Sequence, residues 1–262
     1  MDIFLIIGII VGLGAICAGF LLKGANIAIL MNGEAVIVIL VGTMAAVMNS
    51  YPKREFLNIP KLFGVVFRDN GQGDPIKLIE QLVEMAQLTR KNGLLSLESK
   101  VQEIDNKFMK LGLEMIVDGN DPADIREVLT SEIEGMEDRH RNGASIFATA
   151  GGASPTLGVL GAVIGLIGAL GNLNDTTKLG ESIASAFIAT LYGIFFGYVI
   201  WHPFASRLKR KSQEEVVNME IILEGILAIQ EGKSPNSVEK KLLSAVKPKD
   251  RKRFDGESNN EA

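Results

Sequence analysis

One cysteine and two histidines in 262 residues leave little for metal or nucleophilic chemistry. Cys17 sits inside an apolar run, so neither a disulfide framework nor a cysteine-based zinc site can form within one chain. No His-Glu-x-x-His occurs, and no glycine-rich loop runs into Lys-Ser or Lys-Thr, so the zinc-hydrolase and phosphate-loop readings fall away. His140 and His202 lie beside proposed membrane boundaries and read as helix-end residues rather than ligands. With 27 basic against 31 acidic residues the net charge is −4, which gives no support for a nucleic-acid partner. Neither an enzyme activity, a cofactor nor a metal is expected.

Charge is missing from whole stretches. Residues 3–22, 142–174 and 182–206 hold no Asp, Glu, Lys or Arg, and 35–48 is a shorter fourth run that Asn49, Ser50 and residues 27–31 can lengthen. The first three reach the roughly 20 residues a helix needs to cross about 30 Å of hydrocarbon. This is where the 47% hydrophobic content and the mean hydropathy of +0.23 are concentrated, which excludes a soluble enzyme as the default. The first run opens Met1-Asp2 without basic residues and is long for a signal sequence, so it is expected to be retained.

Of the 27 Lys and Arg, only Lys23 and Lys178 fall in the two short links between paired runs. Basic residues near helix ends stay in the cytoplasm, so both termini and the large loop are expected there. The fold class is therefore all-α: a polytopic membrane protein with four transmembrane helices and a large helical cytoplasmic domain. The expected division is 1–50 (spans one and two), 51–142 (cytoplasmic helical domain), 143–206 (spans three and four) and 207–262 (helical extension and tail).

Within the loop, Asp74-Pro75 reads as an N-cap followed by proline in the first turn, with Ile76, Ile79, Val83 and Ala86 at helical spacing. Leu94, Leu97, Val101, Ile104, Phe108, Leu111 and Met115 advance by steps of three and four, predicting one long amphipathic helix. Residues 118–122 break it, and Asp121-Pro122 can start the next helix, which carries Ile125, Leu129, Ile133 and Met136. Beyond the fourth span the pattern resumes at Val216, Ile222, Ile226 and Ile229, and residues 231–235 precede a short last helix. From Lys247 the composition predicts disorder.

An ion-conducting protein usually keeps a charged group near mid-membrane, because a charge there is costly and is held only for function. No span here has one. The polar side chains on offer are Thr190 and Ser185 in the fourth span and Ser154 and Thr156 in the third, with Pro155 between them. If ions pass, the carboxylate must come from another subunit and these hydroxyls line its path. The alternative is that each hydroxyl bonds the carbonyl one turn earlier in its own helix. Gly158, Gly161 and Gly165, like Gly8 and Gly12, have the small-residue spacing of closely packed helices.

Residues 153–167 (Ala-Ser-Pro-Thr-Leu-Gly-Val-Leu-Gly-Ala-Val-Ile-Gly-Leu-Ile), 186–193 (Ala-Phe-Ile-Ala-Thr-Leu-Tyr-Gly) and 201–204 (Trp-His-Pro-Phe) carry a resemblance. Together with 86–98 and 136–140 they are similar to the A subunit of the bacterial flagellar stator, the MotA/PomA family, over nearly the whole chain. The resemblance implies a homopentamer in the cytoplasmic (inner) membrane, in contact with lipid. Its five chains surround two copies of a B subunit, which anchors to the cell wall and whose aspartate takes up the ion. Ion flow then drives torque on the rotor switch protein FliG. By the same resemblance, Pro155 and Pro203 couple ion flow to conformational change, although Pro203 has the alternative of simply ending the fourth span. Thr190 matches a threonine facing the ion path. Ala162 stands where sodium-driven members carry a second threonine, which points to the proton. Arg90 and Glu98, with Lys91 beside Arg90, match the charged residues that engage the rotor.

Two rivals are weaker. An energiser of the ExbB/TolQ kind resembles a three-span design, whereas four spans and the Arg90 and Glu98 match favour the flagellar reading. A small-solute secondary transporter usually shows an internal repeat with paired broken helices, and the two hairpins here differ in length and motif.

Overall fold

The computed structural model describes residues 3–68, 73–248 and 251. Among them there are only helices and turns. The chain divides into two compact units, residues 1–70 with 140–210, and residues 71–139 with 211–262.

The first unit contains α1 (Ile3–Leu22), a 3-10 turn (Ile27–Leu30), α2 (Gly33–Ser50), and two short helices, α3 (Lys53–Phe56) and α4 (Ile59–Phe67). Among the described residues, four helices are long and apolar enough to cross a membrane. The second starts one residue after Asn32, whose side chain accepts from the Ala35 amide and so caps it. In the hairpin of the last two spans, Asp175 does the same work for the Thr177 and Lys178 amides. Where α4 meets the spans, Phe63 and Phe67 join Phe147, Trp201 and Phe204 in an aromatic cluster. Its edge-to-face contacts include Phe63 with Phe147 at 5.2 Å and Phe67 with Phe204 at 5.5 Å between ring centres.

The second unit opens with α5 (Pro75–Asn92), capped as expected by Asp74, which accepts from the Ile76 amide at 3.1 Å. The long helix expected over 94–115 is not one helix. A 3-10 turn (Leu94–Ser96) leads to α6 (Leu97–Val101), and α7 (Lys107–Val117) starts anew after a break. Asn106 sets the new start: its side chain accepts from both the Phe108 and Met109 amides and so begins a second ladder five residues after the first has ended at Val101. Only part of the expected stripe is buried: Leu97 and Val101 enter the core, whereas on α7 the buried side chains are Met109, Leu113 and Ile116, with Phe108, Leu111 and Met115 half-buried beside them and Leu94 exposed.

Two helices contribute to both units. One, α8, runs unbroken over Pro122–Leu170 with Pro155 inside it. The other begins as α9 (Thr176–Phe195), passes through a π-helical segment (Phe196–Trp201) and continues as α10 (His202–Gln230). The helix therefore runs through Pro203 rather than stopping at it, and in the π segment just before it the His202 amide donates to the Gly197 carbonyl. The last helix is α11 (Pro235–Leu243), started by Ser234. The tail expected to be disordered falls mostly on residues 249–250 and 252–262, outside the described residues.

Glu224 ties three pieces of the second unit together. It accepts from Arg126 at 2.9 Å on α8 and from Lys241 at 2.5 Å on α11. Burial pulls its carboxyl upward, but the hydrogen bonds and charges of Lys241 and Arg126 outweigh this and hold it below the ordinary 4.5. A depressed acid contributes stability above its unfolded value and loses it as pH falls through the folded one. Glu224→Gln is therefore expected to lower the melting temperature at pH 7, by about 1 kcal/mol of stability for a pair this exposed. The gap to wild type should close as pH falls below 4.5. Thermal melts of the purified protein across pH check this; a gap that widens in acid contradicts it.

Candidate functional site

The third and fourth spans are joined through glycine. A Cβ built on Gly158 would lie 3.1 Å from the Ala189 carbonyl oxygen, one on Gly161 2.7 Å from the Ala189 methyl, and one on Gly165 2.9 Å from the Ala186 methyl. Gly193 answers from α9, with Ser154 O only 2.6 Å from its missing Cβ. Backbones this close are what small residues at membrane interfaces permit. In the first span, Gly12 fits against Val199, whereas Gly8 faces open space.

Thr190 stands beside this seam. Its hydroxyl reaches the Ala186 carbonyl one turn back at 3.4 Å and the Gly158 carbonyl across the seam at 3.5 Å. Both contacts are long for an O–H donor, so the hydroxyl is loosely held. Ile183, Phe187, Thr190, Ile194 and Tyr198 advance along α9 and into the π-helical segment by steps of four, three, four and four. The four aromatic and aliphatic members are exposed and Thr190 is half-buried. Thr190 thus interrupts an apolar stripe that nothing among the described residues covers.

Ala162 is half-buried on α8 and Thr156 is exposed, donating only to the Gly152 carbonyl of its own helix at 3.5 Å. The two lie about 120° apart around the helix, so they do not share a face. Ser154 is fully buried and pairs with Thr43 of α2 at 3.0 Å. Ser185 accepts from Asn32 at 2.7 Å, and the Tyr192 hydroxyl donates to the Leu30 carbonyl. Of the hydroxyls singled out from sequence, Ser154 and Ser185 are thus fixed to other helices. Thr190 and Thr156 remain weakly engaged.

In the second unit, Arg90 and Lys91 occupy the last turn of α5 and Glu98 the first turn of α6; all three are exposed. Gly93 makes the turn between them with φ +81°, a conformation that resists any side chain, and the Ser96 hydroxyl locks it by donating to the Gly93 carbonyl at 2.6 Å. Glu98 borders a cleft of about 280 Å³ with Glu114 and Asp118, while Arg90 borders one of about 240 Å³ with Glu231 and Lys233. No ion pair among the described residues engages Arg90, Lys91 or Glu98.

No group of three or more His, Cys, Asp and Glu among the described residues could hold a metal. The His202 ring instead fills the space above Gly151, where a Cβ would meet it at 2.9 Å, and lies 5.4 Å from the Tyr198 ring.

Comparison with known proteins places this arrangement. Residues 100–221 match the MotA/TolQ/ExbB proton channel family. Motility protein A of Bacillus subtilis is 48% identical over 262 residues, 99% of this chain and 97% of the relative. The chain belongs to the MotA/PomA family. Chemotaxis protein PomA of Vibrio alginolyticus is 31% identical over 242 residues, 92% of this chain and 94% of that one. The flagellar MotAB stator complex from Bacillus subtilis superposes with a TM-score of 0.89 at 48% identity, covering 95% of this chain and 98% of that one.

Three features of this MotA/PomA member escape a reading of the sequence. Thr43, 1% exposed, is passed over because nothing in residues 35–48 reveals that Ser154 waits opposite. Tyr51 is passed over although its hydroxyl bonds Ser145 at 3.1 Å and Thr149 at 2.7 Å. Signals existed in the polarity of these residues within apolar runs. The π segment before Pro203 had only the proline itself as a sign.

Proposed function

We propose that this flagellar stator subunit, a member of a proton channel family and not an enzyme, obtains from a B-type partner the carboxylate its own spans lack. Five copies surround two partner helices in the inner membrane. Their termini and second unit lie in the cytoplasm, and their outer apolar faces meet lipid. The observation that carries this reading is Thr190, a loosely bonded hydroxyl in an uncovered apolar stripe, with no Asp, Glu, Lys or Arg in residues 3–22, 35–48, 142–174 or 182–206.

In this reading the proton is carried on the partner's aspartate, and the Thr190 hydroxyl orders the relay that delivers it. Ala162 borders the path from one face of α8 and Thr156 from another, and Pro155 and Pro203 give α8 and the α9–α10 junction their freedom to respond. Arg90, Lys91 and Glu98 pass the movement to the rotor switch protein FliG through contacts between opposite charges, which suit a steered contact that is made and broken. A proton crossing ~150 mV releases about 3.5 kcal/mol, at roughly 2.3 kcal/mol per 100 mV, enough for a step of a few RT.

The test is complementation. The chain expressed with a B-type partner should restore swimming to a strain lacking its own stator, and neither subunit alone should do so. Within that assay Arg90→Glu or Glu98→Lys is expected to cut swarm expansion in soft agar several-fold, with membrane levels unchanged. A compensating reversal on the rotor should restore part of it. Single reversals that swarm like wild type would remove these residues from the contact.

A further inference from the structure

We propose that Gly197 is a positioning residue for the coupling step, the point where two interrupted hydrogen-bond ladders bear on each other. The proposal rests on the stator reading above.

The first interruption is in α8. Pro155 has no N–H to give the Gly151 carbonyl one turn back. That oxygen lies 2.9 Å from where a Cβ on Gly197 would stand, so a Gly197 Cα–H points at it, a weak donor in place of the lost amide. The Pro155 ring closes the same space, with Cγ at 2.9 Å and Cδ at 3.0 Å from that position.

The second interruption runs through Gly197 itself. It lies in the π-helical segment Phe196–Trp201, and the His202 amide donates to its carbonyl, a bond five residues long. Pro203 then offers no amide at all. A π turn inside an α-helix marks a place where the register has slipped, and such turns gather at functional sites. The two gaps face each other across a residue with no side chain.

The surroundings make this junction a pivot. One turn earlier Gly193 is seated on the Ser154 carbonyl and on Gly158, a backbone-to-backbone contact that fixes α9. One turn later Trp201 and Phe204 are anchored in the aromatic cluster with Phe63 and Phe147. Between two fixed packs, the segment around Gly197 is where slippage between α and π register costs least, since its own ladder lacks the Pro203 amide and it faces the bond that Pro155 leaves unmade in α8. A change at Thr190, within two turns of Gly197, passes through this point to reach α10.

The experiment is Gly197→Ala in the full chain, expressed with its B-type partner in the complemented strain. Rotation is followed on beads at low load while single units join the motor, and a fluorescent partner counts them. Wild type failing to restore rotation would sink the stator reading itself. Given that it does, Gly197→Ala units should join in wild-type number, each adding a speed increment about fivefold smaller, equivalent to roughly 1 kcal/mol on the barrier. Torque per unit at stall should fall much less. Gly64→Ala, in a helix where nothing lies within 4 Å of the added methyl, should behave as wild type. Co-expression with wild type covers the case of a chain that does not fold. Mixed rings slowed by the variant support the pivot. A recessive variant, or fewer units each running at wild-type speed, reduces Gly197 to packing and overturns the proposal, as does an unchanged increment.

Discussion

Gly193→Val is expected to abolish motility by preventing the third and fourth spans from packing. A Cβ at this position would stand 2.6 Å from Ser154 O, 2.8 Å from Gly158 Cα and 3.1 Å from Gly158 N. All three are backbone atoms, so no rotamer change relieves the clash, and the two helices must separate. Overpacking a close-packed site costs about 3 kcal/mol or more when nothing can give. Separation would also undo the neighbouring contacts of Gly158 and Gly161 with Ala189. The chain should be nearly absent from membranes by immunoblot and should not co-purify with a B-type partner. Gly8→Ala is the matched control. Nothing lies within 4 Å of that methyl, and alanine favours a helix by about 1 kcal/mol over glycine, so accumulation should hold. Wild-type levels of Gly193→Val would mean that the seam between α8 and α9 is looser than its glycines imply.

The glycines of that seam were readable in advance because spacing alone carries the signal: Gly158, Gly161 and Gly165 recur on one face of a helix whatever they touch. Helix starts were equally readable where a side chain caps its own helix, as at Asp74. What spacing cannot show is a break that preserves it. Residues 94–115 keep an apolar step of three or four throughout, yet α6 stops at Val101 and Asn106 starts α7, because capping is decided by one side chain and the stripe by seven. Nor does composition mark where a helix leaves the membrane. α8 spans 49 residues, about 74 Å at 1.5 Å each, with charge changing along it and helix propensity continuing. The buried pair Thr43 with Ser154 and the half-buried pair Asn32 with Ser185 depend on the register of segments far apart in sequence, and no local pattern encodes that. Pro203 shows the same limit from the other side: a proline that could have ended a helix is instead absorbed by a π turn whose partner, Gly197, is six residues away.

Swimming driven by this chain is expected to follow the proton-motive force, to persist when sodium is removed, and to be lost with Thr190→Val. Sodium entering a membrane path must exchange its water for several oxygen ligands, whereas a proton needs only a carboxylate and a hydroxyl or water to pass it on. Thr190 offers one oxygen. The nearest backbone oxygens it touches, on Ala186 and Gly158, belong to helical carbonyls, and its own bonds to them are 3.4 and 3.5 Å long, so it can turn without breaking a strong contact. A hydroxyl that reorients cheaply suits a relay better than a fixed ligand shell. On α8, Ala162 supplies no side-chain oxygen, and residues 158–166 contain only Gly, Val, Leu, Ala and Ile. A cation left short of ligands away from water costs several kcal/mol even after relaxation, so sodium is not expected to pass at a useful rate. Thr190→Ser keeps the hydroxyl and should keep most of the speed, while Thr190→Val, nearly the same shape, should stop rotation with the protein still in the membrane. Tethered-cell speeds recorded at fixed proton-motive force across a sodium series decide the matter: a speed that climbs with external sodium would show that the ion finds its oxygens elsewhere.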